Sequence, residues 1–110
     1  MICDQGDVAV VPFPFVDADT EKRRPAVVLS RTDFNRANGH SLFAMITTPA
    51  RSRWAGDISI SDLKSAGLSH PCVLRWKVFT LPNDIILRRA GRLNEADRGL
   101  VQKAAQAILL

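Results

Sequence analysis

The sequence predicts a mainly β fold of the α+β class: a small, strongly bent β-barrel or half-open sheet. Short helical inserts interrupt it and one C-terminal helix covers an opening. Three observations carry this. Several short apolar runs with β-branched enrichment are separated by turn residues. Only the last segment, from Asn94 on, holds a helical stripe for several turns. Finally, 110 residues fit one domain with a modest core, with no repeat or linker to divide residues 1–110.

In chain order, Val8 to Pro12 reads as a first strand, and Pro12 and Pro14 mark an edge or the strand's exit because neither donates a ladder hydrogen bond. A loop follows that begins acidic (Asp17, Asp19, Glu21) and ends in Lys22-Arg23-Arg24 before Pro25. The residue before a proline is forced toward extended geometry, which places Arg24 at the stiff mouth of the second strand, Ala26 to Leu29. Thr32 to Asn38 reads as a short helix, with Thr32 as its cap and Gly39 ending it in the left-handed region.

Ser41 to Thr47 is the third strand. Phe43 and Met45 share one face, and Leu42, Ala44 and Ile46 the other, so it is apolar on both sides and predicted to be buried on both. Asp57 to Ile60 alternates as a half-exposed strand, and Ser61 to Gly67 is a second short helix. Cys72 to Val78 and Ile85 to Gly91 are strands five and six, joined by a turn at Pro82-Asn83-Asp84. In the last helix Asn94 caps, Glu95 and Asp97 suit the positive end of the dipole, and Leu100, Val101, Ala104 and Ile108 share the face expected to be buried. Burial of that face is expected to offset Gly99, which costs about 1 kcal/mol against alanine in a helix interior.

Composition narrows the function. No apolar run is long enough to span a membrane, and the N-terminus lacks the basic and apolar regions of a signal peptide, so a cytoplasmic protein is expected. Cys3 and Cys72 form no disulfide framework or zinc motif and read as reduced, partly buried thiols; His40 and His70 lie in no metal-binding pattern. No metal and no organic cofactor is implied. The net charge is +4, with eight Lys/Arg against five Asp/Glu in residues 56–110 and seven against six in residues 1–55. Eleven of the fifteen cations are arginine, which favours bidentate phosphate or carboxylate contacts, although a slightly basic surface explains the charge as well.

Nucleophile elbows, P-loops, dinucleotide turns and HExxH motifs are all missing. What remains is arginine and hydroxyl chemistry. Thr47 and Thr48 end the third strand just before Pro49, where turn capping is the plain explanation. Arg51, Arg53 and Trp54 follow, and Arg75-Trp76-Lys77 repeats the pairing of cation with indole that single-stranded nucleic-acid sites use; a structural tryptophan beside a solvated cation explains each pair taken alone.

A resemblance bears on that choice. Gly6-Asp7-Val8, Pro12-Phe13-Pro14-Phe15, Arg23-Arg24-Pro25-Ala26-Val27-Val28-Leu29-Ser30, Ile46-Thr47-Thr48 and Lys77-Val78-Phe79-Thr80-Leu81 follow the order and spacing of the MazF/PemK toxins. Gly91-Arg92-Leu93-Asn94 before the last helix is similar too, so the resemblance runs over essentially the whole chain. It implies a homodimeric SH3-like barrel, the toxin of a type II toxin–antitoxin module, that cuts single-stranded RNA or mRNA at short sequences without metal. A cognate antitoxin would occupy the same groove. It further implies Arg24 and Thr47 as the catalytic pair; the pattern of cations, hydroxyls and indole around them offers Lys22, Arg23, Thr48, Arg51, Arg53, Trp54, Arg75 and Lys77 as the RNA-contacting set.

One departure stands out. Some members carry an Asp two residues after the strand-five arginine as general base, whereas Leu74-Arg75-Trp76-Lys77 holds no carboxylate. Asp17, Asp19, Glu21 and His40 are the substitutes the sequence offers. The alternatives to a ribonuclease are a toxin of the same fold acting on a protein such as gyrase, as the CcdB-related poisons do, and a catalytically weak RNA- or antitoxin-binding member.

Overall fold

The computed structural model describes residues 1–13, 22–49 and 52–110. It holds six strands: β1 (Asp7–Pro12), β2 (Arg23–Val28), β3 (His40–Thr47), β4 (Ile58–Ser59), β5 (Val73–Pro82) and β6 (Arg88–Arg92). They form one sheet in the order β4-β5-β3-β2-β1-β6, and every neighbouring pair is antiparallel. Three helices interrupt or follow it: α1 (Thr32–Asn38), α2 (Leu63–Ala66) and α3 (Glu95–Leu109). The mainly β half-barrel expected from the sequence is the fold observed.

Strand alternation divides the apolar residues between the two faces of the sheet. On one face Ala9, Val11, Phe13, Ala26, Val28, Phe43 and Phe79 form a core, with Met45 against it. Phe43 and Phe79 stack at 5.6 Å, and Phe13 meets Phe79 edge-on at 5.9 Å. On the other face Val8, Val27, Ala44, Ile46 and Leu74 pack with Ile60, Ala66 and Leu93. The alternation read in β3 therefore holds residue by residue.

Buried polar side chains fasten the connections. Asn35 of α1, fully buried, donates to the carbonyls of Cys3 and Ser30 at 3.0 and 3.2 Å. Asn83 donates to the Asn35 carbonyl at 2.7 Å and accepts from Ser41 at 2.6 Å, which locks the turn after β5 to α1 and β3. Asp7 of β1 accepts from Arg92 of β6 at 2.9 Å, with Arg89 at 3.3 Å. Asp97 of α3 accepts from the Ser61 amide and hydroxyl at 2.8 and 2.9 Å. Where α2 crosses β6 the backbones nearly touch: a Cβ on Gly91 would lie 2.3 Å from the Ser65 carbonyl oxygen, so only glycine fits.

Several details differ from the sequence reading. Asn83–Ile85 forms a 3-10 turn, so β6 begins at Arg88 rather than Ile85. β2 begins at Arg23, so Pro25 lies inside the strand, paired with Val10. β5 runs on to Pro82 because its pairing with β3 continues to His40. Thr32 does not cap α1; Arg31 occupies the cap position, and the Thr32 hydroxyl instead donates to Asp4 at 2.6 Å. On α3, Asn94 caps as expected, but Leu100 and Ile108 are each 50% exposed, and the helix buries Asp97 rather than a full apolar stripe. Cys3 is buried, Cys72 is half-buried and both are free thiols.

Candidate functional site

The register of the sheet decides which of the expected residues meet. β2 and β3 pair as Val28↔Phe43, Val27↔Ala44 and Ala26↔Met45. The paired stretch ends there, and two further steps of the same register bring Arg24 across from Thr47. Alternation puts Arg24 on the face of Ala26 and Val28, and Thr47 on the face of Phe43 and Met45; it is the same face. Cation and hydroxyl thus stand at one end of the Phe43 core, carried by adjacent strands.

Arg24 is held from below. Its guanidinium carbon lies 5.6 Å from the centre of the Phe13 ring, a cation–π arrangement. Its Nε is buried and has no hydrogen-bond partner among the described residues. A buried donor without a partner costs roughly 1–3 kcal/mol, a cost that an acceptor arriving from solution removes. A phosphate or carboxylate oxygen is such an acceptor, and the planar guanidinium offers it two parallel donors.

Arg75 presents the opposite case. β5 pairs with β3 as Thr47↔Val73 and Met45↔Arg75, so Arg75 lies on the same face, two residues along from the position opposite Thr47. That is about 7 Å along the strand. Its side chain is 8% exposed, and four of the five guanidinium N–H donors are hydrogen-bonded. Nε and Nη2 donate to the two Asp57 oxygens at 3.1 and 2.8 Å, and Nη1 and Nη2 donate to the Ser52 hydroxyl and carbonyl at 3.0 and 2.9 Å. The expectation of a groove cation is therefore corrected for Arg75: it is a buried anchor for the 52–57 turn. Hydrogen bonding from Arg75 holds the Asp57 carboxyl below the usual aspartate range, with the Trp54 amide contributing. The same bonds to Asp57 raise the Arg75 pKa.

The other expected residues sort by position. Lys22 and Arg23 are exposed at the mouth of the β1–β2 connection, where the Phe13 amide donates to the Lys22 carbonyl at 2.9 Å. Arg23 and Arg24 are consecutive in a strand, so Arg23 projects from the opposite face. Thr48 is exposed just beyond β3, and Arg53 and Trp54 are exposed on the turn that Arg75 anchors. Lys77 is half-buried in an irregular part of β5, where the residues opposite Ala44 and Met45 are Val78 and Arg75. Arg51 lies outside the described residues.

Of the carboxylates considered as proton acceptors, Asp17, Asp19 and Glu21 also lie outside the described residues. His40 does not belong to this corner. It begins β3 opposite Pro82, seven residues from Thr47 and so roughly 23 Å away along the strand, and its Nδ1 is 2.9 Å from the Asn38 carbonyl. Asp57 is the carboxylate that sequence reasoning missed. The available signal was Arg75 itself, a charge inside a strand run of apolar neighbours, which requires a buried partner.

Among the described residues no group of three His, Cys, Asp or Glu side chains is arranged to hold a metal ion. Among those residues no helix is long and apolar enough to cross a membrane. A cleft of about 720 Å³ opens between α3 and the ends of β2 and β3, lined by Leu29, Leu42, Trp76, Arg98 and Val101 among others; it includes neither Arg24 nor Thr47.

A six-stranded antiparallel half-barrel with this order is a fold shared with known toxins. MazF from Deinococcus radiodurans superposes with a TM-score of 0.76 at 19% identity, over 99% of this chain and 97% of that one. An endoribonuclease in complex with its cognate antitoxin from a mycobacterial species gives 0.72 at 19% identity, covering 99% and 95%. The Mycobacterium tuberculosis toxin MazF-mt6 gives 0.71 at 22% identity, covering 94% and 97%. At these identities the likeness establishes the fold. Comparison with curated proteins gives no match. Residues 4–109 match the family of PemK-like, MazF-like toxins of type II toxin–antitoxin systems, and the chain belongs to that family.

Proposed function

We propose that this protein is a metal-independent endoribonuclease that cuts single-stranded RNA at a short preferred sequence, and that Arg24 and Thr47 form its catalytic pair. The observation that carries the reading is Arg24 itself, with a buried, unpartnered Nε on the sheet face of Thr47. A surface cation would have its donors in water, and a structural one would have them paired, as Arg75 does.

The chemistry that fits is transesterification. The 2′-oxygen attacks the adjacent phosphorus, the bond from phosphorus to the 5′-oxygen breaks, and the products are a 2′,3′-cyclic phosphate and a 5′-hydroxyl. Arg24 donates two parallel hydrogen bonds to the phosphoryl oxygens and neutralises the charge that builds on them. Thr47 orients the phosphate or the 2′-hydroxyl through its own hydroxyl. Asp57 is engaged by Arg75; a base takes the 2′-hydroxyl proton as the new bond forms, and an acid returns a proton to the departing 5′-oxygen. Lys22, Thr48, Arg53 and Trp54 are the residues to track the strand beyond this pair, in a cytoplasmic homodimer inhibited by a cognate antitoxin. The antitoxin complex among the fold's relatives supports that last partner.

The test is incubation of the purified protein with a long RNA in EDTA. Defined cuts ending in cyclic phosphate support the reading. Intact RNA together with inhibition of gyrase would transfer the protein to the gyrase-poison class, and RNA bound but uncut would make it a binding member.

A further inference from the structure

We propose that Trp54 is a stacking platform for the base next to the cleaved phosphate, with Arg75, Asp57 and Ser52 as the residues that position it; this rests on the ribonuclease reading above. The indole is 44% exposed, yet it is not a loose surface side chain. The Arg75 guanidinium carbon lies 5.4 Å from its ring centre and covers one side. The Trp54 amide donates to Asp57 Oδ2 at 3.1 Å, and the Asp57 amide donates to the Trp54 carbonyl at 3.0 Å. One carboxylate therefore fixes both the backbone that carries the ring and the cation beneath it. A large flat ring held by a buried ion pair has already given up the freedom that binding would otherwise take from it.

Position gives the ring its use. Arg75 is opposite Met45, two residues from Thr47 on the Thr47 face of the sheet, so the platform adjoins the proposed cleavage corner rather than some remote surface. Arg53 is exposed next to it in sequence, supplying the cation that accompanies stacking surfaces in single-stranded nucleic-acid sites. Trp76 offers a contrast. It packs against the opposite core with its Nε1 buried, and what surface it keeps lines the cleft under α3, away from Arg24 and Thr47.

The experiment uses the full chain and 2′-O-methyl RNA oligomers, which bind but cannot be cut, after the cut position has been mapped on ordinary RNA. An abasic residue next to the mapped phosphate is expected to weaken binding to the unsubstituted protein roughly tenfold. In Trp54→Ala the intact and abasic oligomers should bind alike, while Trp54→Phe keeps most of the difference. Asp57→Asn should fall to the Trp54→Ala level on the intact oligomer, leave the abasic one unaffected and add nothing in combination with Trp54→Ala. As a second readout, Trp76→Phe leaves Trp54 as the single tryptophan, and its fluorescence should be quenched by the intact oligomer and not by the abasic one. If the abasic penalty persists in Trp54→Ala, the ring does not stack on that base and the platform is overturned, while cleavage by Arg24 and Thr47 stands. If the protein neither binds nor cuts any RNA, the ribonuclease reading falls and takes the platform with it.

Discussion

Two arginines share one face of this sheet and live under opposite rules. Arg75 is surrounded by acceptors, and hydrogen bonds to Asp57 and Ser52 take four of its five N–H donors. Arg24, two strands away in the sheet, rests on the Phe13 ring with its Nε buried and unpartnered. A guanidinium whose donors are engaged stabilises a fold, whereas Arg24 keeps a buried Nε that no described residue satisfies. Sequence alone reads both as cations available to RNA, Arg24 at a strand mouth and Arg75 inside a strand.

The contrast breaks most sharply on activity. Arg24→Ala is expected to lower RNA cleavage by roughly 10³-fold, the scale on which a charge-stabilising arginine contributes to phosphoryl transfer. The variant loses no hydrogen bond at Nε and only the cation–π contact with Phe13, so its thermal midpoint should fall by no more than a few degrees. Cleavage at the parental rate in Arg24→Ala would end the catalytic assignment. Thr47→Ala should lose less, about 10–100-fold, with Thr47→Ser recovering most of it, because one neutral hydrogen bond is weaker than a charged pair. An equal loss in the serine variant would mean that the methyl group, and so packing against β2 or β5, is what matters.

Arg75 should fail in the other sense. Asp57→Asn removes the charge that partners a buried guanidinium, so it should lower the thermal midpoint by more than Arg24→Ala does. The pH dependence has a definite sign. The folded-state pKa of Asp57 is depressed by hydrogen bonding from Arg75, so its contribution is present above the ordinary aspartate value of 3.8 and is lost as pH falls through the lower folded value. The gap in stability between parent and Asp57→Asn should hold from neutral pH down to about 4 and close at lower pH, as followed by thermal melts. A gap that is constant through this range would place Asp57 outside the ion pair.

How far this could be read in advance depends on the range of the pattern involved. Arg24 before Pro25, Thr47 at the end of an alternating strand and Asn94 at a helix start are local signals, each fixed by neighbours within a few residues, and the structure keeps all three in place. Asp57 pairs with a residue eighteen positions away, and no local periodicity marks such a pair. The α3 stripe misled for a related reason. Leu100, Val101, Ala104 and Ile108 do share a face by spacing, but spacing does not say how much of the sheet that face meets, and Leu100 and Ile108 stay half exposed. The length of β5 was hidden by Pro82, which ends many strands but here lies opposite His40 at the end of the ladder.

The smallest expected effect sharpens the comparison most cheaply, because it uses two neighbours rather than two distant residues. Arg23 and Arg24 adjoin in sequence, carry the same charge and lie in the same strand, and only alternation separates them. If net positive charge at the mouth of the β1–β2 connection were what RNA reads, Arg23→Ala would approach the effect of Arg24→Ala. If position on the Thr47 face is what counts, Arg23→Ala should change cleavage by no more than about twofold, the range of an exposed substitution. Its salt dependence then distinguishes a remote phosphate contact from none: loss of one contact lowers the slope of log affinity against log salt by about 1, and loss of none leaves it unchanged. A loss in Arg23→Ala comparable to that in Arg24→Ala would mean that the faces of this sheet do not partition its chemistry.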